Sequence, residues 1–191
     1  MVASRTDPRV TRTVAALEQA IVELASRQPV SQVTVADLAD RAGVTRATFY
    51  NRYGSPLELL IQVLYADLDR AHRREDSRRA DGGYSAEQLL RLATGDVADH
   101  VERFMAVYQH ALGDPADGGV YDALVRHFAG YSLAFMSGPA RPDLPDASHR
   151  VIAQFVAHGF AGAIKAWLSD DSVTKSGLVD AAVACAPAWW S

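Results

Sequence analysis

The sequence predicts an all-α protein. Through most of its 191 residues, apolar side chains recur every three or four positions, which is the spacing of one helix face. Between these runs, Ser, Thr, Gly and Pro residues supply the start and stop signals of helices. No segment keeps the alternating apolar and polar pattern of a half-buried strand. We therefore expect helices throughout and no sheet.

The first predicted helix covers residues 8–27. Its apolar positions Val14, Leu17, Ile21 and Leu24 fall on one face, and Pro29 ends the segment because proline cannot continue a helix. This helix is expected to belong to an N-terminal domain.

Residues 34–60 predict two short helices joined by a tight turn. Thr34 can cap the first helix, with Asp37 completing a pair that resembles a capping box. Gly43 ends that helix, because glycine accepts the left-handed conformation of a C-terminal cap. Thr45 can cap the second helix, and Ser55 begins a further one. This layout is a helix-turn-helix, whose second helix is sized to enter a DNA major groove.

The rest of the chain predicts a bundle of longer helices. A proline at residue 56 opens a helix to about residue 79, and a long apolar stripe follows over 85–112. Later helices are expected at 120–136, 147–168 and 177–186. Gly- and Pro-rich loops at 113–119 and 137–145 separate them.

Composition favours a soluble protein of one or two small domains. Residues 1–56 hold seven arginines and five acidic residues, whereas residues 57–191 carry a net charge of −6. This asymmetry suits a nucleic-acid-binding head on an acidic body. Polar residues interrupt every apolar run, so we expect no membrane span, and Cys185 has no partner for an intrachain disulfide. A cytoplasmic location follows as an expectation.

The order of residues 42–60 resembles a known family. The pattern Ala-Gly-Val-Thr-x-x-x-Phe-Tyr-x-x-Tyr-x-Ser-x-x-Glu-Leu-Leu is similar to the DNA-binding domain of the TetR/AcrR family of bacterial repressors, and residues 9–62 carry the resemblance. The resemblance implies a helix-turn-helix domain at 1–56, with the helix at about 56–79 as the connection. It also implies a helical effector-binding and dimerisation domain at 57–191. Such proteins are dimers that release an operator in double-stranded DNA when a small ligand binds.

The candidate DNA-binding residues lie on the second helix of the motif and at the two caps. Arg46 is the best base-reading candidate, because a guanidinium can bridge two acceptors on guanine. Phe49 and Tyr53 are expected in the core, where they fix the angle of the helix. The full predicted set is Thr34, Thr45, Arg46, Ala47, Thr48, Tyr50, Asn51 and Arg52.

One position departs from the family pattern. The family places a lysine after the serine that caps the fourth helix, where it holds a phosphate, and here that residue is Pro56. We expect weaker phosphate anchoring there, with Arg46 and Arg52 supplying more of the affinity.

The effector is expected to be a small hydrophobic or aromatic molecule. Aromatic or polarisable residues on the central helices are the candidates for its pocket, although plain core packing explains each of them equally well. These candidates are Phe104, Met105, Tyr108, Phe128, Tyr131, Phe135 and His158.

The last two helices are candidates for a homodimer interface, because they are apolar around much of their circumference and slender. Burial within one subunit is the alternative. The candidate interface residues are Phe155, Gly159, Phe160, Ala163, Trp167, Leu178 and Ala182.

Other kinds of function find little support in the sequence. No pair of histidines has i, i+4 spacing, so we expect no metal site, and no pattern indicates a cofactor. No glycine-rich phosphate loop or nucleophile elbow is present, so we expect no enzyme. The leading hypothesis is a dimeric repressor released by an effector. The alternative is a helical DNA-binding dimer without an effector, controlled by a protein partner or by its abundance.

Overall fold

A computed structural model describes residues 8–113, 117–137, 144–187 and 189, and within these residues it is helical with no strand. The prediction of an all-α fold is confirmed. A single 3₁₀ turn covers Val30–Gln32. The nine helices of the described chain are α1 Pro8–Ala25, α2 Val35–Ala42, α3 Arg46–Tyr50, α4 Pro56–Asp81, α5 Ala86–Arg103, α6 Met105–Gly113, α7 Gly118–Met136, α8 His149–Ser169 and α9 Lys175–Cys185.

The predicted helix over 85–112 is wrong in one respect, because it breaks into α5 and α6 at Phe104. The backbone there leaves the helical region, with φ −110° and ψ 23°. The break turns α6 so that the Tyr108 hydroxyl lies 2.7 Å from Nε2 of His100. Both side chains are about 1% exposed. A buried polar contact thus accompanies the bend that the continuous apolar stripe did not reveal.

Other helix ends differ from the predicted ones by at most two residues. The last helix begins at Lys175 and not at Gly177, because Thr174 is its N-cap and accepts a hydrogen bond from the Gly177 N–H at 3.1 Å. Most of the two predicted loops at 113–119 and 137–145 lies outside the described residues, which omit 114–116 and 138–143.

The head consists of α1, α2 and α3 packed against the start of α4. Its core holds fully buried side chains from each of these helices: Leu17 and Ile21 of α1, Leu38 of α2, Phe49 of α3, and Leu59 and Leu60 of α4. Closely packed apolar side chains of this kind fix the angles between short helices that could not be stable alone. The short helix α3 therefore gains its position from the three other helices.

The body is a bundle of the remaining helices, and α4 belongs to both parts. Along the body, α4 packs against α5, α8 packs chiefly against α7, and α9 packs against α5. The inner face of α8 is built from small and branched residues such as Ala157, Ala161 and Ile164, all fully buried. Small side chains allow α7 and α8 to approach closely.

The helix α8 is long and apolar enough to cross a membrane by length and composition alone. Arg150, Gln154, His158 and Lys165 interrupt it, and the expectation of no membrane span stays a prediction. A stretch of 18 residues within it has a mean hydropathy of 1.3, and 28% of that stretch is buried inside the protein. One such helix is a weak indication, since core helices of soluble proteins also pass this test.

A buried carboxylate joins the head to the body. Asp117, directly before α7, is 2% exposed, and its two oxygens accept hydrogen bonds from the backbone N–H groups of Val30 and Ser31 at 2.7 and 2.9 Å. The charged acceptor makes these bonds stronger than neutral ones. The 3₁₀ turn of the head is thus fixed to the first turn of a body helix.

Candidate nucleic-acid interface and body cavity

Side-chain caps set the two ends of the helix-turn-helix as the sequence predicts. The Thr34 hydroxyl accepts a hydrogen bond from the Asp37 N–H, and the Thr45 hydroxyl accepts one from the Thr48 N–H, each at 3.1 Å. Gly43 lies between them with φ +66°, a left-handed conformation that favours glycine. These local features end α2, reverse the chain and start α3.

The predicted DNA-binding residues are largely open to solvent. Seven of the eight are exposed and Thr48 is half-buried, whereas Phe49 and Tyr53 are buried as predicted. The Tyr50 ring is 60% exposed and stands edge-on to Phe49, with ring centroids 5.5 Å apart. A buried ring therefore orients an exposed one that is available to a ligand.

The cations among these residues have no carboxylate partner. Arg46 and Arg52 make no ion pair within the described part of the chain. By contrast, Arg41 of α2 is bound to Glu23 of α1 through its Nε at 2.8 Å. The two unpaired guanidiniums project from the turn and helix that are sized to enter the major groove. A polyanion with hydrogen-bond acceptors fits such a surface.

The start of α4 offers few donors for a phosphate. Pro56 at the first helical position has no N–H. The Glu58 N–H donates to the Ser55 hydroxyl at 3.1 Å, and the Gly54 N–H donates to the Glu58 carboxylate at 2.8 Å. A carboxylate near this helix start also repels phosphate. Weak phosphate anchoring at this position stays a prediction.

The body contains a cavity of about 350 Å³ enclosed by α4, α5, α7, α8 and α9. Its walls are mostly apolar, with polar groups collected on the side of α4 and α7. There the buried Glu75 carboxylate accepts a hydrogen bond from Arg79 at 2.7 Å. Burial, and then the neighbouring Glu75, raise the pKa of Tyr131. A largely apolar pocket of this size with a few grouped polar atoms is typical of small-ligand sites.

Residues 18–63 match the family model described as bacterial regulatory proteins, tetR family. The matched segment contains the whole helix-turn-helix described above and the start of α4. The N-terminal domain belongs to the TetR family of bacterial regulatory proteins. The chain is therefore a transcriptional regulator with a TetR-type DNA-binding domain. No curated protein sequence is significantly similar to it.

Solved structures share the TetR fold with this chain at low sequence identity. The fatty acid degradation regulator FadR from Bacillus halodurans is 16% identical, with TM-score 0.60 and 95% of each chain covered. A TetR transcriptional regulator from Rhodococcus sp. RHA1 is 18% identical, with TM-score 0.58 and 92% and 93% covered. FadR from Bacillus subtilis in complex with stearoyl-CoA is 16% identical, with TM-score 0.57 and 91% and 99% covered. At this identity the likeness shows the fold alone.

Two of the seven candidate pocket residues line the cavity, namely Phe128 and Tyr131. The other five lie elsewhere. Phe104 and Tyr108 are buried at the α5–α6 break, and Met105 follows them. The Phe135 ring lies 4.8 Å below the Arg79 guanidinium, and His158 is exposed on α8. Aromatic character alone did not distinguish core positions from cavity walls.

Five of the candidate interface residues also line this cavity: Phe155, Gly159, Phe160, Ala163 and Ala182. The other two, Trp167 and Leu178, are 8% and 2% exposed, so burial within one subunit accounts for them. Phe155 is the exception in exposure, because 82% of its surface is open to solvent. The outer side of α8 therefore keeps an uncovered apolar ring beside the cavity.

Sequence reasoning missed the polar network that connects α4, α5 and α6. His100 Nδ1 lies 2.8 Å from Asp67, and its Nε2 lies 2.7 Å from the Tyr108 hydroxyl. Burial lowers the pKa of His100 to about 4, against the opposing effect of Asp67. A neutral imidazole fits both contacts, donating from Nδ1 to the carboxylate and accepting from the tyrosine at Nε2. No motif marked these residues, because they are 33 and eight positions apart.

Proposed function

We propose that the protein is a dimeric repressor that reads a palindromic operator with α3 and leaves it when a small apolar effector fills the body cavity. The observation that carries the proposal is the exposed, unpaired Arg46 and Arg52 on the helix-turn-helix of a TetR-family chain. Arg46 is assigned to base edges and Arg52 to phosphate. The remaining predicted residues, Thr34, Thr45, Ala47, Thr48, Tyr50 and Asn51, complete the proposed DNA contact.

The proposed dimer uses the outer face of α8. Val151 and Phe155 are 67% and 82% exposed and lie one turn apart on α8. Gly159 and Gly162 continue this side, with no atom within 4 Å of where a side chain would start. Large exposed apolar residues beside small ones suit a close helix pair from a second copy. Two copies would also present two α3 helices to the two halves of a palindrome.

The proposed effector site is the cavity. Its position supports a coupling to DNA, because α4 contributes Ala71, His72 and Glu75 to the wall and begins in the core of the head. A ligand that favours one position of α4 favours one position of α3. The B. subtilis FadR neighbour in complex with stearoyl-CoA supports an apolar effector for this fold.

The test is selection of bound duplexes from a random pool by the purified full-length protein. The proposal expects a palindrome whose half-sites lie one or two helical turns apart. Arg126→Ala is the matched control, because it removes the same charge from the exposed side of α7. It should recover the same palindrome, whereas Arg46→Ala should not. If the selection enriches a single asymmetric site, or no sequence at all, the proposal that a dimer binds a palindromic operator is wrong.

The effector arm uses the selected operator in a fluorescence anisotropy assay. A library of apolar small molecules, together with stearoyl-CoA as a ligand that has an apolar acyl chain, is screened for release of the DNA. Ala93→Phe places a ring in the cavity from α5 and should abolish the response while leaving operator affinity unchanged. An effector that still releases DNA from this variant binds elsewhere, and the cavity assignment is then wrong.

A further inference from the structure

Three side chains of the types that bind metals meet between α4 and α7, outside the proposed DNA contact. Asp69 and His72 lie one turn apart on α4, and His127 faces them from α7. Their donor atoms all lie within 4.8 Å of one another, and Nε2 of His127 is 3.8 Å from the Asp69 carboxylate. The spacing within α4 is i, i+3, and the third residue is distant in sequence.

His127 supplies an independent indication of a ligand. Its side chain is 8% exposed, and its Nε2 is fully buried without a hydrogen-bond partner within the described residues. Buried polar atoms almost always have a hydrogen-bond partner or a ligand. A buried imidazole nitrogen without a partner beside a carboxylate therefore indicates a missing ligand. A metal ion between Nε2 and the Asp69 carboxylate would satisfy both groups.

Ring stacking positions the two imidazoles between α4 and α7. A metal would bind an unprotonated nitrogen of each ring. The rings are held nearly parallel at 11°, with centroids 4.9 Å apart, and His72 is stacked on Tyr131 at 3.7 Å.

We propose that Asp69, His72 and His127 bind one divalent transition-metal ion of the Zn²⁺ class, which joins α4 to α7. Two imidazoles and one carboxylate favour Zn²⁺, Co²⁺ or Ni²⁺ over Mg²⁺ and Ca²⁺, which prefer oxygen ligands throughout. Three protein ligands leave a fourth position for water or for an atom of a small molecule. His72 also lines the cavity, so this position is next to the space where such a molecule would lie.

The geometry requires a modest closure when the ion binds. Two donors of a tetrahedral zinc site, each about 2.1 Å from the metal, are about 3.4 Å apart. The donors here lie within 4.8 Å, so the side chains must approach by roughly an ångström. The two stacked rings must also tilt out of their nearly parallel arrangement, because a metal ion lies near the plane of each imidazole that binds it. Asp69 can supply much of this movement, because its side chain is 54% exposed. The same exposure gives the ion an entry path from solvent.

The ion would act on the helix that connects the two parts of the protein. Asp69 and His72 lie in the middle of α4, while His127 lies on α7, whose first turn is fixed to the head through Asp117. A metal bridge between these helices would restrict how α4 moves relative to α7. A change in operator affinity on metal binding is expected only if the proposed function is correct. Metal binding itself does not depend on the proposed function.

The test is a titration of tag-free, chelator-treated full-length protein with Zn²⁺ by calorimetry and with Co²⁺ by visible absorption. We expect one ion per chain and the absorption of a site with nitrogen and oxygen ligands. Asp69→Asn, His72→Gln and His127→Gln should each weaken binding by at least about tenfold. His158→Gln, which changes an exposed histidine of α8, is the matched control and should bind as the unaltered protein does.

Because Asp69 is exposed, Asp69→Asn should fold normally even if the variants of the buried histidines do not. The absence of saturable binding, or binding that Asp69→Asn leaves unchanged, overturns the proposal. Operator affinity is then measured with and without Zn²⁺ as a separate arm. Metal binding with unchanged operator affinity supports the site and refutes its regulatory consequence. Failure of DNA binding in every sample affects the proposed function and leaves the metal site intact.

Discussion

Replacing Asp117 by alanine should loosen the joint between the head and the body. The carboxylate is 2% exposed and accepts two hydrogen bonds from backbone N–H groups of the head, at 2.7 and 2.9 Å. Val30 is buried, so its N–H would be left without an acceptor, whereas the N–H of the exposed Ser31 can turn to water. The change also removes the cost of burying a charge, which offsets part of the loss.

The expected loss of stability follows from these bonds. Two hydrogen bonds to a charged acceptor contribute about 1.5–3 kcal/mol each to the stability of the fold. The substitution also removes the free-energy cost of burying the carboxylate, which reduces the net loss to roughly 3 kcal/mol. For a protein of this size that corresponds to a fall in Tm of roughly 6–12 °C. Asp117→Asn should lose less, because the amide oxygen can still accept one of the two bonds.

The assay is urea unfolding followed by circular dichroism, together with amide hydrogen exchange at Val30 and Ser31. Asp122→Ala, which changes an exposed carboxylate on the same helix, is the matched control and should shift stability by less than about 0.5 kcal/mol. The two amides should exchange faster in Asp117→Ala than in the control. If Asp117→Ala unfolds as the unaltered protein does, the carboxylate does not hold the head to the body.

Three further predictions concern local features. Gly43→Ala should lower the free energy of unfolding in urea by about 1 kcal/mol, because φ at this position is +66°. A Cβ there would meet no atom within 4 Å, so the loss comes from the backbone conformation. Unchanged stability would contradict this. Burial of neutral His100 should contribute a loss of stability on the order of 3 kcal/mol between pH 6.5 and about 4, because the unfolded chain binds a proton there and the folded chain does not. His100→Gln should remove this part of the pH profile and leave the part that comes from His72 and His127. Val151→Glu should weaken dimerisation roughly 100-fold in ultracentrifugation, whereas Gln109→Glu should not.

The fold of the head could be predicted from local chemistry. Thr34, Gly43 and Thr45 act through side-chain hydrogen bonds and a left-handed φ, which depend on neighbours within a few residues. The exposed side of α3 followed from the same pattern, because Phe49 had to be buried for the helix to pack. Features determined over three to four residues are those that a single sequence reveals most directly.

The body could be predicted only in outline. Helical spacing indicated which segments are helices, but the cavity depends on how five helices are arranged, and Phe104 and Phe128 look alike in sequence. The break at Phe104 depends on a contact between His100 and Tyr108 that only tertiary packing supplies. Asp117 gave no signal in the sequence, because its partners lie 86 and 87 residues away.

The proposed metal site could not be predicted from the sequence either. A search for histidine pairs at i, i+4 spacing misses Asp69 and His72 at i, i+3, and it cannot place His127 beside them. The unpartnered Nε2 of His127 becomes visible only when burial and hydrogen bonds are known together. Ligand sets assembled from two helices require the packing of those helices before they can be recognised.

The central claim is that α3 reads DNA sequence through Arg46. The most direct test compares the Kd of the unaltered protein, Arg46→Ala and Arg126→Ala for the selected operator and for a scrambled duplex at one salt concentration. We predict that Arg46→Ala loses about 1–3 kcal/mol on the operator and much less on the scrambled duplex, while Arg126→Ala matches the unaltered protein on both. An Arg46→Ala protein that keeps full operator affinity, or that loses affinity equally on both duplexes, would contradict the assignment of base reading to this residue.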